Sequence, residues 1–222
     1  MTHPVWPFFD LQVVTPQVEL RAIDDELGVQ LAALAANGIH DPSWMPFGIP
    51  WTDFPSPELE RNAMQFYWRC RADLSPTSWN INFGVIVDGE LVGSTGLFAH
   101  HFPTMRSFET GSWLGRAHQG KGIGKEMRQA SLHLGFAGFG AQRATTAAFV
   151  DNAASLGVTR RLGYEPNGMS VNRRRDEAGE QRHFVLSRDA WAAHRRDDIE
   201  LVGVDAAREQ LGIALVPDGV VH

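Results

Sequence analysis

The stretch Gln119-Gly120-Lys121-Gly122-Ile123-Gly124 sets three glycines and a lysine between an apolar run, Gly111-Ser112-Trp113-Leu114-Gly115, and a helix-like sequence. A glycine-rich turn that opens a helix leaves amide N–H groups pointing one way, and the helix dipole adds partial positive charge there. Together they make an anion site, and a phosphate fits it. The dipole contributes only about 0.3–1 kcal/mol per exposed charge, so several N–H bonds and Lys121 or Lys125 must add to it. A dinucleotide fingerprint needs Gly-x-Gly-x-x-Gly near the first strand; the spacing here is Gly-x-Gly-x-Gly and the loop lies mid-chain, so that reading is rejected. A nucleoside-triphosphate loop matches from Gly115 to Lys121 but puts Gly122 where the hydroxyl that holds Mg²⁺ belongs. Taken alone, the loop could also be a plain surface turn.

Other chemistries find less support. The nine histidines show no His-x-x-x-His spacing, and Cys70 is the only cysteine, so no metal site and no intrachain disulfide are expected. A lone cysteine is compatible with a reducing cytoplasm. The formal net charge of -6 argues against general nucleic-acid or anionic-membrane binding. The first residues, MTHPVWPFFD, lack a basic segment followed by an apolar one, so a secretion signal is not expected. No apolar run approaches the ~20 residues that a membrane span needs.

With 222 residues, 43% of them hydrophobic, the chain can bury a core, and one domain over 1–222 is expected, with a short extra segment at 199–222. Residues 11–24 alternate as strand, turn, strand. Asp24 could cap a helix to about Asn37, and Pro57 to about Arg71 also reads as helix. The intervening segment, His40 to Pro55, is too rich in proline and aromatics for regular structure. Residues 78–100 form a strand pair around Asp88-Gly89. Residues 107–115 are a further strand, followed by the loop and a helix from about Gly122 to Phe139. A strand at 143–150, a helix capped by Asn152 and two last strands follow. Arg173, Arg174 and Arg175 read as a solvated hairpin tip. The order predicts an α+β (mixed α/β) domain, with helices on both faces of a mixed sheet and a parallel crossover over 108–150.

Three blocks carry a resemblance. Gln119 to Gly124 resembles the pyrophosphate loop of the GNAT acyl-CoA-dependent acyltransferases, Gln/Arg-x-x-Gly-x-Gly/Ala. DNAASLGVTRRLGY, with Asn152, Ser155, Gly163 and Tyr164, resembles that family's Asn-x-x-Ser/Ala…Gly-Phe/Tyr helix. ETGSWLG resembles the Glu-x-Gly-Tyr-Trp-Leu strand of its RimJ/RimL branch, with Ser112 in place of the tyrosine. HDPSWMPFGIPW, GSWLG and FVDNAAS look closer still to an actinobacterial subgroup of acetyl- or succinyltransferases. The resemblance spans about residues 10–190. It implies a twisted central sheet of about seven strands, with acetyl-CoA or succinyl-CoA as co-substrate and an amine (protein or small molecule) as acceptor. It also implies a homo-oligomer, the dimer favoured; no metal and a cytoplasmic setting are expected from the histidine spacing and the lone cysteine.

The resemblance also assigns roles. Backbone at Trp113, Leu114 and Gly115 is expected to contact pantetheine, and Gln119, Gly120, Lys121, Gly122, Ile123, Gly124 and Lys125 the pyrophosphate. Asn152 is expected to cap its helix and touch pantetheine. Ser155 is the candidate proton donor to the leaving thiolate, because Thr159 stands where many members carry tyrosine; alternatively its hydroxyl merely bonds the helix backbone. Glu109, on one strand face with Gly111 and Trp113, is the candidate base, with His100 and His101 as rivals. Trp44, Phe47 and Trp51 are candidate acceptor-pocket walls or core plugs. For a succinyl group, His100, His101 and Arg106 are the cations considered for its free carboxylate. A non-catalytic acyl-CoA-binding module remains the alternative.

Overall fold

The computed structural model describes residues 3–214. Residues 215–222, the end of the expected extra segment, lie outside the described residues. Nine strands form one sheet: β1 (Gln12–Val14), β2 (Glu19–Ala22), β3 (Ser78–Val87), β4 (Glu90–His100), β5 (Ser107–Leu114), β6 (Arg143–Phe149), β7 (Glu165–Arg174), β8 (Glu177–Ser187) and β9 (Glu200–Val202). Their order is β7-β8-β6-β5-β4-β3-β2-β1-β9, and among the described residues only β5 and β6 pair in parallel. The helices are α1 (Asp25–Ala36), α2 (Glu58–Ala72), α3 (Phe102–Met105), α4 (Ile123–His133), α5 (Ala153–Arg161), α6 (Arg188–Ala192) and α7 (Val204–Gln210). The mixed sheet with helices on both faces is as expected; it has more than the roughly seven strands the resemblance implies, and the pattern along the chain marks all but one of them. The strand that local pattern hid is β9, three residues long, which joins the sheet by pairing antiparallel with β1.

Local chemistry sets the element ends. The Asp24 carboxylate accepts from the Leu27 N–H at 2.8 Å and starts α1; the Asn152 side-chain oxygen accepts from the Ser155 N–H at 3.1 Å and starts α5. Asp88 and Gly89, at φ 50° and 80°, make the two-residue hairpin between β3 and β4. The helix expected to run to Phe139 is α-helical only to His133, and a π turn covers Leu134–Gly138. Alternation splits the strands between two cores. Gly84 of β3 lies under Leu27 of α1, whereas its neighbours Phe83 and Val85 join the large cluster that holds Met127 and Ala130 of α4. Helices α1 and α2 therefore cover one face, and α4 and α5 the other.

The arginines at 173–175 are not simply a solvated tip. Arg174 donates through Nε to the Met45 carbonyl at 2.6 Å and through Nη1 to Asp151 at 2.8 Å, and it lies over the Phe149 ring at 4.5 Å. Arg175 forks onto both Asp53 oxygens at 2.7 and 2.8 Å and reaches the Pro42 carbonyl at 2.8 Å. Two arginines of the β7–β8 hairpin thus clamp the proline-rich segment after α1, which has no regular ladder of its own. Only Arg173, paired with Asp176 at 81% side-chain exposure, fits the expected role.

Substitution of Arg175 by Ala should release this segment. Limited proteolysis should cut within residues 40–54 at least roughly three-fold faster, while the melting temperature falls by no more than about 2–4 °C, since exposed pairs contribute about 0–1 kcal/mol. The Asp53 carboxyl is held below its ordinary value by the Arg175 hydrogen bonds. A depressed carboxylate supports the folded arrangement above its unfolded value and stops doing so as pH falls through its folded one. Protection should therefore persist from neutral pH to about 4 and be lost below it.

Candidate active site

β5 pairs with β4 from Glu109↔Phe98 to Leu114↔Gly93, but with β6 only from Ser107↔Arg143 to Glu109↔Thr145. Beyond Glu109 the two parallel strands separate. The Gly115 N–H donates to Val92 on β4 at 2.9 Å. Antiparallel alternation then turns the N–H and C=O of Ser112 and Leu114 toward the gap. Side chains agree with this direction: Thr146 of β6 donates to the Thr110 carbonyl at 3.2 Å, and Gln119 to the Leu114 carbonyl at 2.9 Å. Of the expected backbone contacts, Leu114 keeps a free N–H at the gap. The Trp113 carbonyl abuts Gly93 of β4. Both backbone groups of Gly115 are bonded within the protein, the carbonyl to the His118 N–H. Ser112, which was not among the expected contacts, also turns its N–H and C=O toward the gap.

A cavity of about 640 Å³ occupies the gap and passes through the sheet. On the α1/α2 side its walls include Phe47, Trp51, Phe66, Phe98 and Trp113. Trp51 and Trp113 stand 5.9 Å apart, and Phe47 and Trp51 5.5 Å apart. On the α4/α5 side the walls are polar: Ser112, Arg128, Thr146, Asn152 and Ser155.

At the head of α4, Gly120 and Gly122 hold φ 76° and 86°, left-handed conformations in which a side chain is strained. Among the described residues, the N–H groups of Gly120, Lys121, Gly122, Ile123 and Gly124 meet no acceptor; the first amides bonded back to the loop are those of Lys125 and Glu126, to the Gly122 carbonyl. Lys121 and Lys125 are exposed beside them, and the Ile123 side chain packs against the core. Gln119 departs from its expected role: its amide donates to the Ile39 and Leu114 carbonyls at 2.7 and 2.9 Å, so it ties the loop to β5 and to the segment after α1. Glu126, buried in the first turn, would repel an anion here. Arg196 pairs with it at 2.7 Å and also with Asp198.

Ser155 lines the cavity, and its hydroxyl makes no hydrogen bond among the described residues; the helix-backbone alternative is not adopted. The Thr159 hydroxyl instead donates to the Ser155 carbonyl at 3.0 Å. Phe47 and Trp51 are wall residues. Trp44 is not: its indole N–H donates to Asp151 at 2.9 Å, which makes it part of the clamp. Burial pushes the Asp151 carboxyl up, but Arg174 and Trp44 outweigh it, and its pKa lies below the ordinary value.

The expected bases are not brought into the cavity. Glu109 shares the strand face of Gly111 and Trp113 but is exposed and outside the wall. His100 lies at the end of β4, bonded to Ser78 at 2.9 Å, and His101 caps the short α3 in a left-handed conformation. Arg106 donates to the Gly140 carbonyl at 2.7 Å and lies over Phe102, away from the cavity. Sequence reading missed Ser112, Arg128 and Arg196. A signal existed for Arg128: a charge beside Met127, Ala130 and Ser131 on the buried stripe of α4.

No group of His, Cys, Asp or Glu among the described residues could hold a metal ion, and no described helix is long and apolar enough to cross a membrane. Comparison with solved structures finds an α-N-protein acetyltransferase of ribosomal L7/L12, RimL, in complex with coenzyme A. It is 21% identical, covers 80% of this chain and 97% of its own, and has a TM-score of 0.65. A GNAT-family acetyltransferase from Bacillus anthracis is 17% identical, with 80% and 99% covered and a TM-score of 0.63. At these identities the likeness concerns the fold. The family model of the acetyltransferase (GNAT) domain matches residues 17–165, about two thirds of the sequence, and with the glycine loop and the splayed strands it leads to one conclusion: the chain belongs to the GNAT acetyltransferase family.

Proposed function

We propose that the chain moves an acyl group, acetyl or succinyl, from coenzyme A to a primary amine by direct attack in a ternary complex. The observation that carries this reading is the break in β5–β6 pairing, which puts bare strand amides, a polar wall and an aromatic wall around one cavity. Pyrophosphate would rest on the N–H groups of 120–124, and pantetheine would run along the free edge of β5 at Ser112 and Leu114. The amine would enter over Phe47, Trp51 and Trp113. Its nitrogen attacks the thioester carbon, the C–S bond breaks, and the amide and free thiol leave. A further free backbone N–H near Leu114 on this edge would face the charge that develops on the carbonyl oxygen. Ser155 gives a proton to the departing thiolate and regains one, through solvent, from the nitrogen that becomes the amide, and Asn152 holds the first turn of α5 that positions it. Among the described residues the cavity wall contains no carboxylate and no imidazole. We therefore place Glu109 as a base that acts through solvent on an amine already near its own pKa.

Ser155→Ala should lower kcat by about 10²-fold, the low end for loss of an acid–base partner, and leave coenzyme A affinity within about twofold. Glu109→Gln should cost less than about tenfold, because solvent can substitute. An unchanged rate in the serine variant removes it from the mechanism.

Gly124→Glu separates fold from binding. A Cβ there meets nothing nearer than Val158 Cγ2 at 3.7 Å, and a carboxylate in a first helical turn is favourable. The melting temperature should hold or rise while the Kd for coenzyme A, read by calorimetry, rises at least about tenfold, since the carboxylate competes for the phosphate amides.

With no base in the wall, kcat/KM should climb with pH up to the pKa of the acceptor itself, about 8 for an α-amine and about 10.4 for a lysine. A profile that levels off well below the acceptor's pKa would place an internal base in the site. Coenzyme A binding without turnover of any amine would favour the binding-module alternative.

A further inference from the structure

One charge in the cavity has no part in the reaction as written. Arg128, on the second turn of α4, is only 5% exposed and lines the gap between β5 and β6. Nη1 donates to Thr146 Oγ1 and Nη2 to Ser112 Oγ, each at 3.2 Å, and Nε is buried with no acceptor. No carboxylate pairs with it among the described residues. Arg174, Arg175 and Arg196 all have acid partners and are all more exposed. A guanidinium stays charged, and a buried charge without an opposite one is costly to keep.

Its neighbours share the shortage. Among the described residues the Thr110 and Tyr164 hydroxyls are buried without partners; Tyr164 faces Thr110 and Arg128 but meets hydrogen-bond geometry with neither. Burial pushes the Tyr164 phenol up, so it remains a neutral donor. Of these groups Arg128 and Thr110 line the cavity; an unpaired cation beside a spare hydroxyl suits an acceptor with two oxygens and a negative charge, and the planar fork of arginine matches a carboxylate. The side of approach distinguishes donor from acceptor. Arg128 belongs to the helix whose N terminus carries the glycine loop, whereas the aromatic wall lies on the opposite face of the sheet.

Building on the acyl-transfer reading, we propose that Arg128 holds the free carboxylate of a dicarboxylic acyl group, so that succinyl-type thioesters of coenzyme A are taken in preference to neutral ones of equal length. His100, His101 and Arg106, the cations considered from sequence, lie outside the cavity. The carboxylate is a spectator: the bonds made and broken are those of the thioester transfer.

Succinyl-CoA and butyryl-CoA, both four-carbon donors, test this in the full-length protein with one amine held constant. Wild type should favour succinyl-CoA in kcat/KM, and in affinity by calorimetry, by roughly 10–100-fold, the range for a charge-assisted hydrogen-bonded pair. Arg128→Met should abolish the preference and leave butyryl-CoA kinetics and coenzyme A affinity within about threefold. Arg128→Lys, which keeps the charge without the fork, should retain part of it and serves if the methionine variant does not fold. Equal use of the two donors by wild type, or a loss in Arg128→Met that is the same for both, overturns the proposal. So does a carboxylate requirement seen only in the acceptor, tested with acetyl-CoA on an amino acid against its amide. Failure to bind coenzyme A at all would overturn the acyl-transfer reading itself, and this inference with it.

Discussion

The site depends on a hydrogen-bond ladder that stops early. β5 is paired with β4 from Glu109 to Leu114, yet on the β6 side it keeps a partner for only three residue pairs, Ser107 to Glu109. Buried backbone amides are almost always satisfied, so an open strand edge inside a domain is held apart by what surrounds it. Here α4 packs behind the gap, the cap at Asn152 starts α5 at its mouth, and the clamped segment 40–54 walls the other face. These segments are tied down by side chains that lie outside the cavity wall: Gln119, Arg174, Arg175 and Trp44.

Electrostatics follow the same economy. The chain as a whole carries a formal charge of -6, but cations gather at the glycine loop: Lys121, Lys125 and the amide end of α4. The one acid buried in the first turn of α4, Glu126, is neutralised by Arg196 from the segment after α6. That arrangement gives the C-terminal portion of the chain a part in keeping the anion site positive. It also explains how an acidic protein can receive an anionic ligand at one place.

Much of the fold was legible because local signals were strong. Caps at Asp24 and Asn152, the Asp88-Gly89 turn and the strand alternation each rest on a few neighbouring residues. The glycine loop was legible for the same reason, since positive φ at Gly120 and Gly122 is a local demand. What stayed hidden was long-range. β9 has three residues and exists only through β1. The arginine clamp joins residues more than 100 positions apart. Glu109 and His100 had suitable chemistry, but no local pattern says where the cavity begins, and it begins past them. Arg128, which sequence reading did not single out, stands apart only through its surroundings, which supply no acid among the described residues.

The most direct measurement is amide hydrogen exchange with and without coenzyme A, resolved to single residues. The open-edge model expects new protection at Gly120 to Gly124 and at Ser112 and Leu114, the groups that meet no acceptor in the free protein. Trp113 and Gly115, already turned to β4 or bonded there, should change little. Slowed exchange confined to another surface, with those amides unaffected at saturating ligand, would contradict it.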